Sequence, residues 1–363
     1  MKNIDRIESR GPVSDELLEI VGSGDRSDRD AVGLQDAVDR ALSDAAGDVV
    51  RSEDIQLSLF VLYSLAYGGL FADTEHLEWH PGLIRERAKL EAALESSLRE
   101  RMTAGPLPAA QAGTVAAHLF EMAASDTGPS LSRFLAKKAT IEQASEFLVH
   151  RSIYTLKEAD PHSWAIPRLT GRAKAALVEI QADEYGGGNA VRMHSAIFAG
   201  TLRAAGLDDR YGAYLNQVPA IVLASFNTMS MFGLNRRLLG AIVGHLAAFE
   251  MTSSIPNRLY GNGFRRLGYG RDLTWYFDEH VEADAVHEQI AAHDLAGTLA
   301  EDHPELLGDI IFGAQACLTL DGWVAEHMLE CWNNASTSLR VSPGSASHEL
   351  PAGSDRLVEV RQP

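Results

Sequence analysis

Asp278-Glu-His-Val-Glu-Ala-Asp-Ala-Val-His287 sets His280, Asp284 and His287 at offsets of zero, four and seven. On a helix, at roughly 100° per residue, the three side chains fall within about 60° of one another, along one stripe two turns long. That is the geometry of a metal-binding helix face. Imidazole together with carboxylate suits a redox iron or manganese better than a structural zinc, which more usually recruits cysteine. A solvated acidic helix with two incidental histidines accounts for the segment equally well by itself, so its meaning depends on ligands elsewhere in the chain.

Outward from this segment, helical periodicity dominates and strand alternation is almost absent. Ile55 to Tyr67 reads as a buried helix closed by Gly68-Gly69, and Leu83 to Met102 as an amphipathic one. Further helices are predicted over Leu107–Ala124, Thr140–Asp160, Gly171–Tyr185, Ala190–Ala205, Asn216–Met231, Leu234–Met251, Leu273–Ala296 and Leu306–Trp332. Stops are predicted at Gly128-Pro129, Pro161, Pro167, the three glycines from Gly186 to Gly188, Pro256 and Gly261-Asn-Gly263. The apolar stretch from Val218 to Phe249 is broken by Asn227, Asn235, Arg236 and Arg237, which makes it two core helices joined by a turn. The fold class expected is all-α. Residues 1–30 and the tail 341–363 have the composition of poorly ordered termini. Residues 31–127 supply N-terminal helices, in the same domain or as a cap, and residues 128–335 the bundle proper.

Composition narrows the function classes. A formal net charge of −18 and the lack of any basic stripe with interleaved aromatics argue against nucleic acid or an anionic membrane as partner. The first 30 residues lack the apolar core of a signal peptide, and no run of about 18 apolar residues occurs, so a cytoplasmic location is expected. A small-molecule substrate is the partner expected, with a homodimer as the assembly. Cys317 and Cys331, on one predicted helix, stand about 21 Å apart along its axis and cannot bridge within it. They read as small buried side chains.

In a helical bundle, a two-metal site is built from inward-facing Glu, Asp and His on neighbouring helices. Two segments offer such residues. Glu158 lies near the end of a helix whose apolar positions include Phe147, Leu148, Ile153, Tyr154 and Leu156. Glu184 ends another helix, three glycines interrupt it, and His194 falls in the first turns of the next. Glu158, Glu184, His194, His280, Asp284 and His287, in that order, resemble the six ligands of the haem-oxygenase-like di-metal oxidases. The motifs that carry the resemblance are Leu-Lys-Glu-Ala-Asp-Pro-His-Ser-Trp-Ala-Ile-Pro-Arg-Leu (Leu156 to Leu169), Glu-Ile-Gln-Ala-Asp-Glu-Tyr-Gly-Gly-Gly (Glu179 to Gly188) and the helix from His280 to His287. They are similar above all to the actinobacterial iron-containing redox enzymes and to the N-oxygenating central domain of nitrosourea-forming enzymes.

The resemblance implies a haem-oxygenase-like helical bundle with additional N-terminal helices, holding two Fe(II) ions through those six residues, with Glu184 as the bridge. An Mn/Fe pair suits the same ligands. It further implies O2 as co-substrate, activated as a peroxo-bridged pair, with room for an external electron donor. The reaction implied is oxidation of an amino acid or amino-acid-derived amine in specialised metabolism, by N-oxygenation, desaturation or C–C cleavage. A fatty-acid oxidative decarboxylase of the same superfamily is the alternative, and a non-catalytic helical interaction protein is the opposing class. Haem would need one axial histidine, and six converging ligands exceed that.

Other polar residues are expected in lesser roles. Of Asp183 and Glu179, one reads as a hydrogen-bond partner behind the ligands and the other as surface. His162 is expected outside the helix, His245 as a satisfied core histidine, and Asp321 and His327 as interior polar contacts. Arg192, Arg168, Asn227 and Tyr185 are candidates to hold a zwitterion, since arginine forks match carboxylates. The three glycines, each costing about 1 kcal/mol in a helix relative to alanine, predict a mobile segment that closes when the second metal binds. No Walker A loop, strand-coupled GxGxxG, HExxH or GxSxG motif competes.

Overall fold

Ser52 accepts a hydrogen bond from the Ile55 amide, Thr140 and Gln143 form a capping box, and Gly68, at φ +72°, ends the helix that Ser52 starts. Such caps satisfy the amides and carbonyls that every helix end leaves over. The structure is a computed structural model and describes residues 7–23, 31–44, 48–102, 105–125, 128 and 130–340, the side chains at 31 and 282–285 excepted. The described helices are α1 (Pro12–Ser23), α2 (Ala31–Asp44), α3 (Glu53–Tyr67), α4 (Pro81–Arg101), α5 (Ala112–Ala124) and α6 (Leu131–Lys137). They continue with α7 (Ile141–Thr155), α8 (Asp160–Ser163), α9 (Gly171–Glu184), α10 (His194–Ala204), α11 (Ala220–Leu234) and α12 (Leu239–Met251). The last are α13 (Ser254–Arg266), α14 (Arg271–Gln289), α15 (Thr298–Asp302) and α16 (Leu307–Asn333). A π-helical stretch, Ile290–Gly297, joins α14 to α15. Among the described residues there is no strand, so the all-α expectation holds.

The centre of the molecule is α12, buried from Gly240 to Ala248 and crossed most closely by α16. A Cβ added at Gly244 would collide with the Ile310 carbonyl, and one at Gly313 with the Ala241 carbonyl, so the two backbones touch where these glycines face each other. α11 and α12 are separate helices with a short 3₁₀ turn, Arg236–Leu238, between them. No single described helix is long and apolar enough to cross a membrane. Cys317 and Cys331 share α16 and are free.

Three expectations need correction. Residues 12–23 form α1, where poor order was expected. Val13 and Leu17 are fully buried, and the Asp54 carboxylate accepts from the Val13 and Ser14 amides at 2.9 and 2.7 Å. The stretches 1–6, 24–30 and 341–363 lie outside the described residues. Second, Pro256 and Gly261-Asn-Gly263, read as helix stops, lie inside α13. Pro256 is in the first turn, where its missing N–H leaves no bond unmade. Gly263 is required because a Cβ there would stand 2.6 Å from the Leu135 carbonyl of α6. Third, α7 stops at Thr155, so Glu158 lies in the turn before α8 and not on a helix end.

The N-terminal helices join a core continuous with the later ones. Phe60 of α3 packs on Phe226 of α11, ring centroids 5.9 Å apart, and Asn227 donates to both the carbonyl and the side-chain oxygen of Gln56 at 2.8 Å.

Candidate metal centre

Three chain segments bring Glu158, His194 and His280 together. All three are buried, and one ligand atom of each lies within 4.8 Å of the others. His280 is set by α14 itself: its Nδ1 donates to the Tyr276 carbonyl one turn earlier at 2.8 Å, which points Nε2 at Glu158 Oε1, 3.7 Å away. A backbone acceptor on one ring nitrogen fixes the tautomer and frees the other nitrogen for a metal. Glu158 is held by two phenols. Tyr154 Oη donates to its Oε1 at 2.9 Å, and Tyr276 Oη reaches both oxygens, at 2.7 and 2.9 Å. Burial works against its charge, yet His280, His194 and the Tyr276 hydroxyl outweigh burial and hold the carboxyl below the usual range.

The three glycines position Glu184 and His194. Gly186, Gly187 and Gly188 all take positive φ, between +60° and +83°, and a Cβ at Gly186 would meet the backbone of Arg192 and Met193 at 2.6 Å. Only a glycine turn this tight lets the end of α9 fold back onto the start of α10. As expected, Glu184 ends one helix and His194 begins the next, with Glu184 Oε2 3.1 Å from His194 Nδ1.

His287, two turns along α14 from His280, faces a different group. Its Nε2 hydrogen-bonds Asp183 Oδ2 at 3.0 Å, and its Nδ1 lies 3.6 Å from Glu250 Oε2. Burial opposes protonation here, but Glu250 and Asp183 carry the imidazole up to about 9. The side chain of Asp284 lies outside the described residues; its backbone sits on α14 between the two histidines. A small cleft, with room for about one water, has Glu158 and His280 of the first group and Glu250 of the second in its lining, with Glu184 between them.

Glu250 is the carboxylate that sequence reasoning missed as a member of the site. The signal was present: it is the one charged residue in the thirteen of α12, and it is buried. A carboxylate in so apolar a helix needs a cationic partner or a metal. His162 was expected outside a helix; it lies in α8, buried, its Nε2 3.3 Å from His245 Nδ1. Burial pushes both imidazoles down, His162 to about 4, so the pair is neutral and shares one proton between them. Glu179 is exposed.

The four residues expected to hold a zwitterion are engaged elsewhere. Arg168 donates to the Gly233 and Leu234 carbonyls, capping α11, and Arg192 pairs with Glu279 at 2.9 Å on the surface. Asn227 is bound to Gln56, and Tyr185 bonds to Ser163 and Asp160 at 2.9 and 3.0 Å. None of them lines the cleft.

The donor set fits a metal. Glu184 Oε2, His194 Nδ1 and His287 Nδ1 are buried without a hydrogen bond, although carboxylate and imidazole stand opposite each other. Each such atom costs about 1–3 kcal/mol unless something else binds it. Imidazole nitrogen and carboxylate oxygen in these numbers suit iron or manganese.

Comparison with known proteins agrees. Residues 145–322 match the family of iron-containing redox enzymes, a span that includes all six predicted ligands. Nitrosourea synthase from Streptomyces achromogenes subsp. streptozoticus is 27% identical over 162 residues, 44% of this chain and 34% of that protein. The chain thus spans about a third of the length of this curated relative. Two crystal structures of a CADD-like protein of unknown function from Nostoc punctiforme PCC 73102 are 16% and 15% identical, with TM-scores of 0.49 and 0.48. They cover 60% and 64% of this chain and 97% and 99% of theirs. The resemblance to haem-oxygenase-like, iron-containing redox enzymes is borne out.

Proposed function

We propose that this chain, whose residues 145–322 are those of an iron-containing redox enzyme, is a non-haem diiron oxidoreductase that uses O2 to oxidise a small organic substrate. In this reading Glu158, His194 and His280 hold one iron. Glu184, His287 and, from its place on α14, Asp284 hold the other, with Glu250 beside it. The observation that carries the reading is the convergence of Glu158, His194 and His280 from three separate segments into one buried cluster. Bound iron supplies the electrons and the open coordination positions that O2 reduction needs.

The protein's own groups have definable tasks. Tyr154 and Tyr276 orient the Glu158 carboxylate. Asp183 orients His287 through the hydrogen bond to its Nε2, leaving Nδ1 toward the cleft. Phe249 and Leu246 of α12 give the cleft part of its apolar lining. The relative that matches is named for making a nitrosourea, which favours an amine or amino-acid-derived substrate and N-oxygenation.

Anaerobic reconstitution with Fe(II), followed by elemental analysis, is expected to give two irons per chain. O2 uptake by the loaded protein should accelerate with one class among amino acids, amines and fatty acids. Fewer than one iron per chain, with O2 uptake no faster than that of free Fe(II), would overturn the reading in favour of a non-catalytic helical protein.

A further inference from the structure

Gln181 lies in α9, one turn before Glu184 and on the same face, and it lines the small cleft beside Glu158, Glu184 and His280. It is buried, with 3% of its surface exposed. Its amide nitrogen donates to the Ala159 carbonyl at 2.8 Å and to Ser163 Oγ at 2.7 Å. A backbone carbonyl only accepts, so the nitrogen has to be the atom on that side, and the orientation of the amide is set by chemistry. Both amide hydrogens are used, and the side chain is fixed to the turn that follows Glu158.

The carbonyl end is left over. Oε1 is buried, and no donor among the described residues reaches it. Buried carbonyl oxygens are seldom left so, since giving up water without gaining a donor is costly. The neighbouring groups have their hydrogens engaged elsewhere: Tyr154 and Tyr276 donate to Glu158, and His280 Nδ1 donates to the Tyr276 carbonyl. A metal ion is drawn to the carboxylates and imidazoles before a neutral amide, which leaves Oε1 to a hydrogen-bond donor. The cleft that Gln181 lines has room for about one water, and so for one nitrogen or oxygen with its hydrogens.

We propose that Gln181 is a positioning residue of the candidate centre, its Oε1 accepting a hydrogen bond from an N–H or O–H group that enters the cleft, either a water or the terminal amino group of the substrate. This rests on the metal-centre reading above and deepens it. It requires the atom that arrives beside Glu184 to carry a hydrogen on nitrogen or oxygen. A tertiary amine, an ether or a hydrocarbon end leaves the carbonyl unpaired and is selected against.

The test uses the full chain loaded anaerobically with Fe(II) and titrated, by optical spectroscopy, with hydrazine as free base, a protic ligand, and with azide, an aprotic one. Gln181→Met is expected to weaken hydrazine about tenfold or more and azide by less than about twofold. Gln181→Glu, whose acid form keeps the acceptor and one donor, should recover most of the hydrazine affinity. Equal weakening of both ligands, as a purely structural role would give, or an unchanged hydrazine affinity would each overturn the proposal. A second measurement needs no variant to fold: in wild-type protein carrying isotope-labelled glutamine, the infrared band of a side-chain carbonyl should move to lower wavenumber with hydrazine and stay in place with azide. No movement with hydrazine overturns the proposal. The same shift with phenylhydrazine assigns the donor to the amino end of a larger substrate, and a shift with hydrazine alone assigns it to water. Iron content of the same samples separates the two readings. Two irons per chain without the infrared shift sinks this inference alone, and the shift in a chain that holds fewer than one iron sinks the metal-centre reading.

Discussion

Glu158 receives two phenolic hydrogen bonds and faces an imidazole, so its carboxylate is oriented before any ion arrives. Removing its charge or its partner should therefore act on metal content before stability. Glu158→Gln and His280→Ala are each expected to lose at least one iron per chain in elemental analysis while thermal unfolding shifts little. Tyr276→Phe removes one of the two phenolic donors to Glu158; the expected effect is a 10- to 100-fold weaker iron affinity, measured by chelator competition. Unchanged affinity would show that the phenol only fills space. At this scale much was legible: five of the six expected ligands have described side chains, and each is buried in one of two linked clusters. Glu250 was not legible as a partner of His287, because a pairing between α12 and α14 leaves no trace in local spacing. Two of the polar residues chosen to hold a zwitterion proved to be a helix cap and a surface pair.

Elements here are shaped by close approach as much as by periodicity. Gly244 and Gly313 let α12 and α16 touch backbone to backbone, so Gly244→Ala should destabilise the fold by about 1–3 kcal/mol, read from denaturant unfolding. A wild-type midpoint would contradict the contact. The segment after α16 is held by a buried polar group: Glu146 accepts from Trp332 Nε1 at 2.7 Å and from the Ser338 amide at 2.9 Å, and Ser338 Oγ lies 2.9 Å from His150 Nε2. Burial, with a smaller push from His327, lowers His150 from its ordinary 6.5 to about 3. The neutral form is the folded one, so stability is complete above pH 6.5 and falls as the pH drops from there toward 3, by up to about 1.4 kcal/mol per unit. His150→Asn is expected to flatten the stability difference between pH 7 and pH 5; an unaltered acid limb would rule His150 out as its source. Helix positions were readable from the 3.6-residue period, whereas the end of α7 before Glu158 and the continuity of α13 through Pro256 depend on neighbours that periodicity does not contain.

Across the whole molecule, α1 to α3 are built into the same core as the helices that carry the candidate ligands. α3 is buried from Ile55 to Leu65, and Arg10 ties the N-terminal segment to Glu53 at 2.6 Å and to the Leu215 carbonyl at 2.5 Å. A chain lacking residues 1–48 is expected to be insoluble or to melt well below the full chain, and an equal melting temperature would show that these helices are dispensable.

What the sequence by itself determined is the class of the fold and the candidate ligands, since offsets of zero, four and seven and a glycine-interrupted helix pair are local facts of a chain with fixed helical geometry. Tertiary structure alone decided which ligands meet. His194 and His280 are 86 positions apart and Glu250 and His287 are 37 apart, and their approach is set by where α10 and α12 pack against α14, with α12 itself seated on α16. Those crossings depend on backbone contact at glycines and on the packing of a shared core, sums over many residues that no single stretch of sequence records.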